Sequence, residues 1–229
     1  MLTANHTLTI DELRAGLHQF HRGLREGERR VASTGIPALD ELLPERGLRR
    51  GALSEWIGAE VGCGVLSLAM RVAAAAQSDG PLIIVDTKKT LYPPAIQAAG
   101  VSLPESIFVW PASRTEALWA VEQSLRCTGI GGVLFPVDRL RTQDFRRLQL
   151  AAESGTAIGL LIRPPGSQRQ PGWADVRLLV SPRPAHPNSF CRRMAVQCIY
   201  VKGSLTDRTI ELEMCDETGA VRLASGLPD

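Results

Sequence analysis

The residues best placed to do chemistry form one glycine-rich run, Gly58-Ala59-Glu60-Val61-Gly62-Cys63-Gly64-Val65, between a strand-like segment starting at Leu53 and a helix-like segment ending at Gln77. Glycines at a strand-to-helix turn let backbone amides close around phosphate oxygens. A working phosphate loop, G-x-x-x-x-G-K-[ST], adds a lysine that neutralises the phosphates and a hydroxyl that holds Mg²⁺. Counted from Gly58, Cys63 stands where the second glycine belongs, Gly64 where the lysine belongs and Val65 where the hydroxyl belongs. Shifting the frame does not restore the motif, because the first lysine in the chain is Lys88. The turn keeps its backbone cradle and has lost its charged half. A degenerate nucleotide loop is expected, with no cofactor.

A second set of candidates is basic. Residues 139–193 carry ten arginines against three acids, a balance of +7 in a chain whose net charge is +2. Guanidinium groups bind oxyanions through parallel donors, so the block suits phosphate or acidic partners; the competing reading is a solvated helix face and a few loops. The candidates for DNA are Arg146 and Arg147 on a helix, Arg163 and Arg169 at a Pro/Gly-rich loop, and Arg177, Arg192 and Arg193 beyond it. Trp173 either offers a face for base stacking or covers the edge of the core. His18 and His21 share a helical face, but neither they nor His6 have a third ligand in evidence. The five cysteines are scattered and hold no C-x-x-C pair. Neither a metal site nor a disulfide framework is expected, and a reducing cytoplasm is the default location.

The elements that must position these residues alternate in type. Thr9-Ile10-Asp11-Glu12 reads as a capping box opening a helix whose seam is Ile10, Leu13, Leu17, Phe20 and Leu24. This N-terminal arm, residues 1–32, is expected to dock on a partner, on a second copy or on its own core. Helical periodicity at Val65–Gln77, Arg114–Arg126 and Gln143–Glu153 is interleaved with apolar strand runs at Leu82–Asp86, Ile107–Trp110, Gly132–Phe135 and Ala157–Ile162. Continuous apolar strands alternating with helices predict a mostly parallel sheet covered by helices on both faces. After the polar loop 164–172, strands at Val176–Val180, Ala195–Lys202, Arg208–Met214 and Ala220–Leu223 predict an antiparallel extension. The core is expected over residues 33–215, with a tail at 216–229. No apolar run reaches the roughly 18 residues of a membrane span, and Met1–His6 shows no secretory leader.

The order of elements and two stretches resemble the RecA recombinase family. Ser33-Thr34-Gly35-Ile36-Pro37-Ala38-Leu39-Asp40, followed by Gly47-Leu48-Arg49-Arg50-Gly51, is similar to the approach to that family's nucleotide loop. Val85-Asp86-Thr87-Lys88-Lys89-Thr90-Leu91-Tyr92-Pro93 is similar to the stretch that supplies its catalytic glutamate. The resemblance implies a RecA-like α/β core in which Lys88 occupies the glutamate position, inverting the charge needed to orient a water. It places Pro136 where a metal-associated carboxylate should close a strand, with Asp138 two residues late. It also makes Arg163–Trp173 a shortened DNA-binding loop, and Lys202 the counterpart of a lysine that reaches a neighbouring subunit's nucleotide.

Within this superfamily the chain resembles the ImuA family, through Gly35–Pro44, Ala117-Leu118-Trp119-Ala120-Val121-Glu122-Gln123 and Arg146-Arg147-Leu148-Gln149-Leu150-Ala151-Ala152-Glu153. That resemblance implies a non-enzymatic adaptor in the SOS response, a pseudo-ATPase serving translesion synthesis. Its implied partners are an inactive Y-family polymerase homologue and an error-prone C-family polymerase, with single-stranded DNA and self-association beside them. Two other readings stay open: a SulA-like inhibitor of cell division, and an ATP-dependent recombinase paralogue with an unconventional nucleotide site.

Overall fold

In the computed structural model, residues 31–185, 190–203, 207–215 and 218–224 are described. Contacts divide the chain into Met1–Arg30 and Val31–Asp229. The first unit, and with it the seam Ile10, Leu13, Leu17, Phe20 and Leu24, lies outside the described residues.

Two short strands, β1 (Val31–Ala32) and β2 (Leu48–Arg49), pair antiparallel around α1 (Pro37–Leu42). This corrects the expected arm boundary, since Val31 and Ala32 belong to the core. Asp40 in the first turn of α1 accepts hydrogen bonds from the Thr34 hydroxyl at 2.6 Å, the Thr34 amide at 2.8 Å and the Ser33 hydroxyl at 2.6 Å. The Ser33–Asp40 motif thus closes its own turn.

The nine-stranded sheet is built from β3 (Ala52–Gly58), β4 (Leu82–Val85), β5 (Ser106–Val109), β6 (Gly132–Pro136), β7 (Ile158–Arg163), β8 (Val176–Arg183), β9 (Cys191–Val201), β10 (Arg208–Cys215) and β11 (Val221–Leu223). Their order is β11-β10-β9-β8-β3-β7-β6-β4-β5. Every pairing from β8 to β5 is parallel, and those from β8 to β11 are antiparallel. The helices are α2 (Val65–Ala76), α3 (Pro93–Ala98), α4 (Arg114–Arg126) and α5 (Thr142–Ser154). β11 pairs with β10, so part of the expected tail is a strand of the sheet.

The apolar strand runs are continuous because successive side chains enter opposite cores. In β4, Leu82 and Ile84 join the cluster under α2, while Ile83 and Val85 join the cluster under α4 and α5. Ser113 caps α4 by accepting the Glu116 amide at 3.2 Å, and the Glu116 carboxylate accepts the Ala112 amide at 2.9 Å, so two orphan donors are satisfied at its start. Proline opens α3 at a position where its missing amide costs nothing. No described helix is long and apolar enough to cross a membrane.

Candidate functional site

Because β3, β4, β6 and β7 run parallel, their C-terminal ends share one edge of the sheet, where an open α/β sheet places its ligands. The glycine-rich turn sits there, between β3 and α2. Cys63 is folded inward and buried, its sulfur 3.0 Å from where a Cβ on Gly58 would stand. Gly64 caps α2 in the left-handed region at φ 87°, and a Cβ on it would stand 3.0 Å from Met194 Cε of β9. The position that a phosphate lysine would occupy therefore disfavours any side chain, by conformation and by space. Val65 begins the helix with no hydroxyl to offer.

Beyond β4, Asp86 is buried and accepts the Lys88 amide at 3.1 Å and the Leu91 amide at 2.8 Å, which shapes the 86–91 loop. The Lys88 ammonium reaches across to Asp138, 2.7 Å away. Asp138 follows Pro136, the last residue of β6. Lysine and aspartate at this edge neutralise each other.

Glu55 of β3 lies one strand away from both Arg163 of β7 and Arg177 of β8. Its carboxylate pairs with Arg163 at 3.1 Å and with Arg177, and Glu55 and Arg163 are each only 1% exposed in the side chain. Arg163 also donates to Gln170 Oε1 at 2.7 Å, and Arg177 donates to the Ser167 carbonyl at 2.9 Å. Burial, foremost, holds the Arg163 guanidinium below the usual arginine value; Glu55 pulls it up and Arg177 pushes it down. The two arginines tie the 164–175 loop back onto the sheet. The expectation that Arg163 and Arg177 meet DNA is corrected: both guanidinium groups are turned inward onto Glu55 and the loop, Arg163 buried and Arg177 half-buried.

Arg193 is likewise buried, 3.5 Å from Glu213 and 3.4 Å from Glu211, so it too is withdrawn from the DNA candidates. Arg147 pairs with Glu122 of α4. Arg169 is exposed at the end of a short turn, Ser167–Arg169. Arg192 is exposed, with one guanidinium nitrogen 3.8 Å from the Cβ position of Gly64.

Arg146 and Trp173 do come together. The guanidinium lies 5.0 Å from the Trp173 ring centre, in a groove of about 450 Å³ between α5 and the ends of β8 and β9. Its other main walls are Gln149, Glu153, Tyr200 and Lys202, and Trp173 and Tyr200 are each 42% exposed. Lys202 lies 3.6 Å from Glu153 and 3.7 Å from Asp175. The groove offers two aromatic faces beside two cations, a combination able to stack a flat ring and hold a phosphate. Tyr200 was missed as a site residue, because only the β8–β9 register brings it to Trp173. Among the described residues, no cluster of three His, Cys, Asp or Glu side chains could hold a metal ion.

The crystal structure of the RadB recombinase matches this chain with a TM-score of 0.64 at 14% identity, covering 85% of this chain and 100% of that one. The chain has a RecA-like fold. No protein-family model and no curated protein matches the sequence. In this RecA-like core the glycine-rich turn follows β3 at the edge where the parallel strands end.

Proposed function

We propose that the chain is a non-catalytic RecA-fold adaptor in DNA-damage-induced mutagenic synthesis. It bridges an inactive Y-family polymerase homologue and an error-prone C-family polymerase, with single-stranded DNA as a further partner. The observation that carries the non-catalytic part is the 2.7 Å Lys88–Asp138 pair. Hydrolysis needs one carboxylate to orient water and another near the metal. Here an ammonium takes the first position, and it binds the nearest acid to the second. An ammonium donates and cannot accept the proton of an attacking water. The left-handed, crowded Gly64 supports the same reading, since no phosphate lysine can be seated there without strain.

The adaptor part rests on the resemblance to the ImuA family, with Ile10, Leu13, Leu17, Phe20 and Leu24 as the seam for partners or self-association. Co-purification tests it. The tagged chain is mixed with both polymerase proteins in the presence of ATP, of ADP or of neither. An adaptor captures them equally in all three conditions and loses them when residues 1–30 are removed. Capture that requires ATP would favour the recombinase-paralogue reading, and capture of a division GTPase in place of the polymerases would favour the SulA-like one.

A further inference from the structure

We propose that Cys191 and Cys215 form a thiol–disulfide switch joining the start of β9 to the end of β10. The two residues stand directly opposite each other in the antiparallel β9–β10 pair. Directly opposed side chains leave the sheet on the same face. Cys215 turns both of its backbone groups away from β9: its amide donates to the Ala220 carbonyl at 2.9 Å, and its carbonyl accepts the Gly219 amide at 2.8 Å. The cysteines are therefore a non-hydrogen-bonded pair, the closer of the two antiparallel kinds, with Cα atoms typically about 4.5 Å apart. That separation falls within the range of about 4.4–6.8 Å that a disulfide spans. Both residues are half-buried, whereas Cys63 and Cys198 are buried. The next pair inward on the same face, Arg193 opposite Glu213, is charge-matched, so the switch rests on proximity and not on a local excess of positive charge.

The chemistry is exchange with a small disulfide such as oxidised glutathione. One cysteine, as thiolate, attacks a glutathione sulfur, forming a mixed disulfide and releasing one glutathione thiolate, which takes up a proton. The second cysteine then attacks the protein-bound sulfur and releases the other glutathione. Two protein thiols lose two protons and two electrons, and the glutathione disulfide gains them.

The location gives the bridge a consequence. By strand alternation, Arg192 and Met194 leave the opposite face of β9, where Met194 Cε lies 3.0 Å and Arg192 Nη1 lies 3.8 Å from the Cβ position of Gly64. Closing the bridge fixes the strand end that carries these two side chains, and so holds them against the turn between β3 and α2. The switch does not depend on the adaptor reading.

The whole chain is incubated with oxidised glutathione, alkylated, and mapped without reduction. The expected product is an internal Cys191–Cys215 bridge, the titratable thiols falling from five to three under denaturant, all reversed by excess reduced glutathione. The Cys127→Ser chain should form the same bridge, its thiols falling from four to two, while Cys191→Ser should leave a lasting glutathione adduct on Cys215 and no bridge. Amide exchange across residues 58–65 should slow on bridging, by about tenfold. Lasting adducts on Cys191 or Cys215 of the unsubstituted chain, a bridge through another cysteine, or retention of all five thiols would overturn the switch. A normal bridge with unchanged exchange at 58–65 would overturn its coupling to the turn.

Discussion

Glu55 holds two guanidinium groups inside the sheet, and this single carboxylate explains why the arginine block is not a simple nucleic-acid surface. Glu55→Ala removes the counter-charge of the buried Arg163 and the half-buried Arg177, and breaking such a network costs about 3–5 kcal/mol; urea unfolding should show that loss. Counting charges along the chain exposed the excess of arginine. It could not reveal which arginines face Glu55, since β7 and β8 flank β3 only through pairings more than a hundred residues apart in sequence. The degenerate loop was legible for the opposite reason. Gly64 and Val65 stand side by side in the sequence and offer neither an ammonium nor a hydroxyl. A lysine there should not confer ATP turnover: Gly64→Lys places a side chain in the left-handed region against Met194, so the variant should lose about 1–3 kcal/mol of stability and gain no ATP turnover. In the groove, Trp173→Ala should weaken single-stranded DNA binding by about 1–3 kcal/mol at unchanged salt slope, whereas Arg146→Ala should flatten that slope by about 0.7. Fluorescence anisotropy over a salt series separates the two.

At the scale of elements, α4 and α5 are clamped by Glu122, whose carboxylate accepts from Arg126 at 2.9 Å and also pairs with Arg147. Burial pushes the Glu122 carboxyl up, but the hydrogen bonds from Arg126 and Arg147 outweigh it and hold the group below the usual carboxylate value. A carboxylate depressed on folding adds stability above its unfolded value, and that stability disappears as pH falls through the folded value. Both arginines are about half exposed, so Glu122→Gln should cost only about 0.5–1 kcal/mol at neutral pH. The difference from the unsubstituted chain should shrink as pH falls below the free glutamate value of about 4.3 and vanish below the lower folded value, as thermal melts at stepped pH would show. Helix α4 was readable to the residue from its periodicity, and the structure adds the Ser113 cap. The β1–β2 pair was not, because two-residue strands carry no period. Strands β8 and β9 run longer than expected, since at the antiparallel end alternate residues face solvent and the apolar signal thins.

For the molecule as a whole, βα alternation gave away a mostly parallel sheet with an antiparallel end, because a parallel strand must be apolar on both faces and each crossover needs a helix. Strand order and the place of β11 depended on contacts that no local pattern encodes. The groove walled by Arg146, Trp173, Tyr200 and Lys202 had only some of its residues visible in advance, for the same reason. What unites the molecule is a RecA-like scaffold whose strand-end edge carries Cys63 folded into the turn, Met194 close to Gly64, and Lys88 paired with Asp138; we propose that this edge holds no nucleotide. The measurement that tests this most directly is titration of the purified chain with a fluorescent ATP analogue in the presence of Mg²⁺, followed by assay for released phosphate. The account predicts neither saturable binding in the micromolar range nor turnover above a protein-free control, and micromolar binding accompanied by hydrolysis would contradict it.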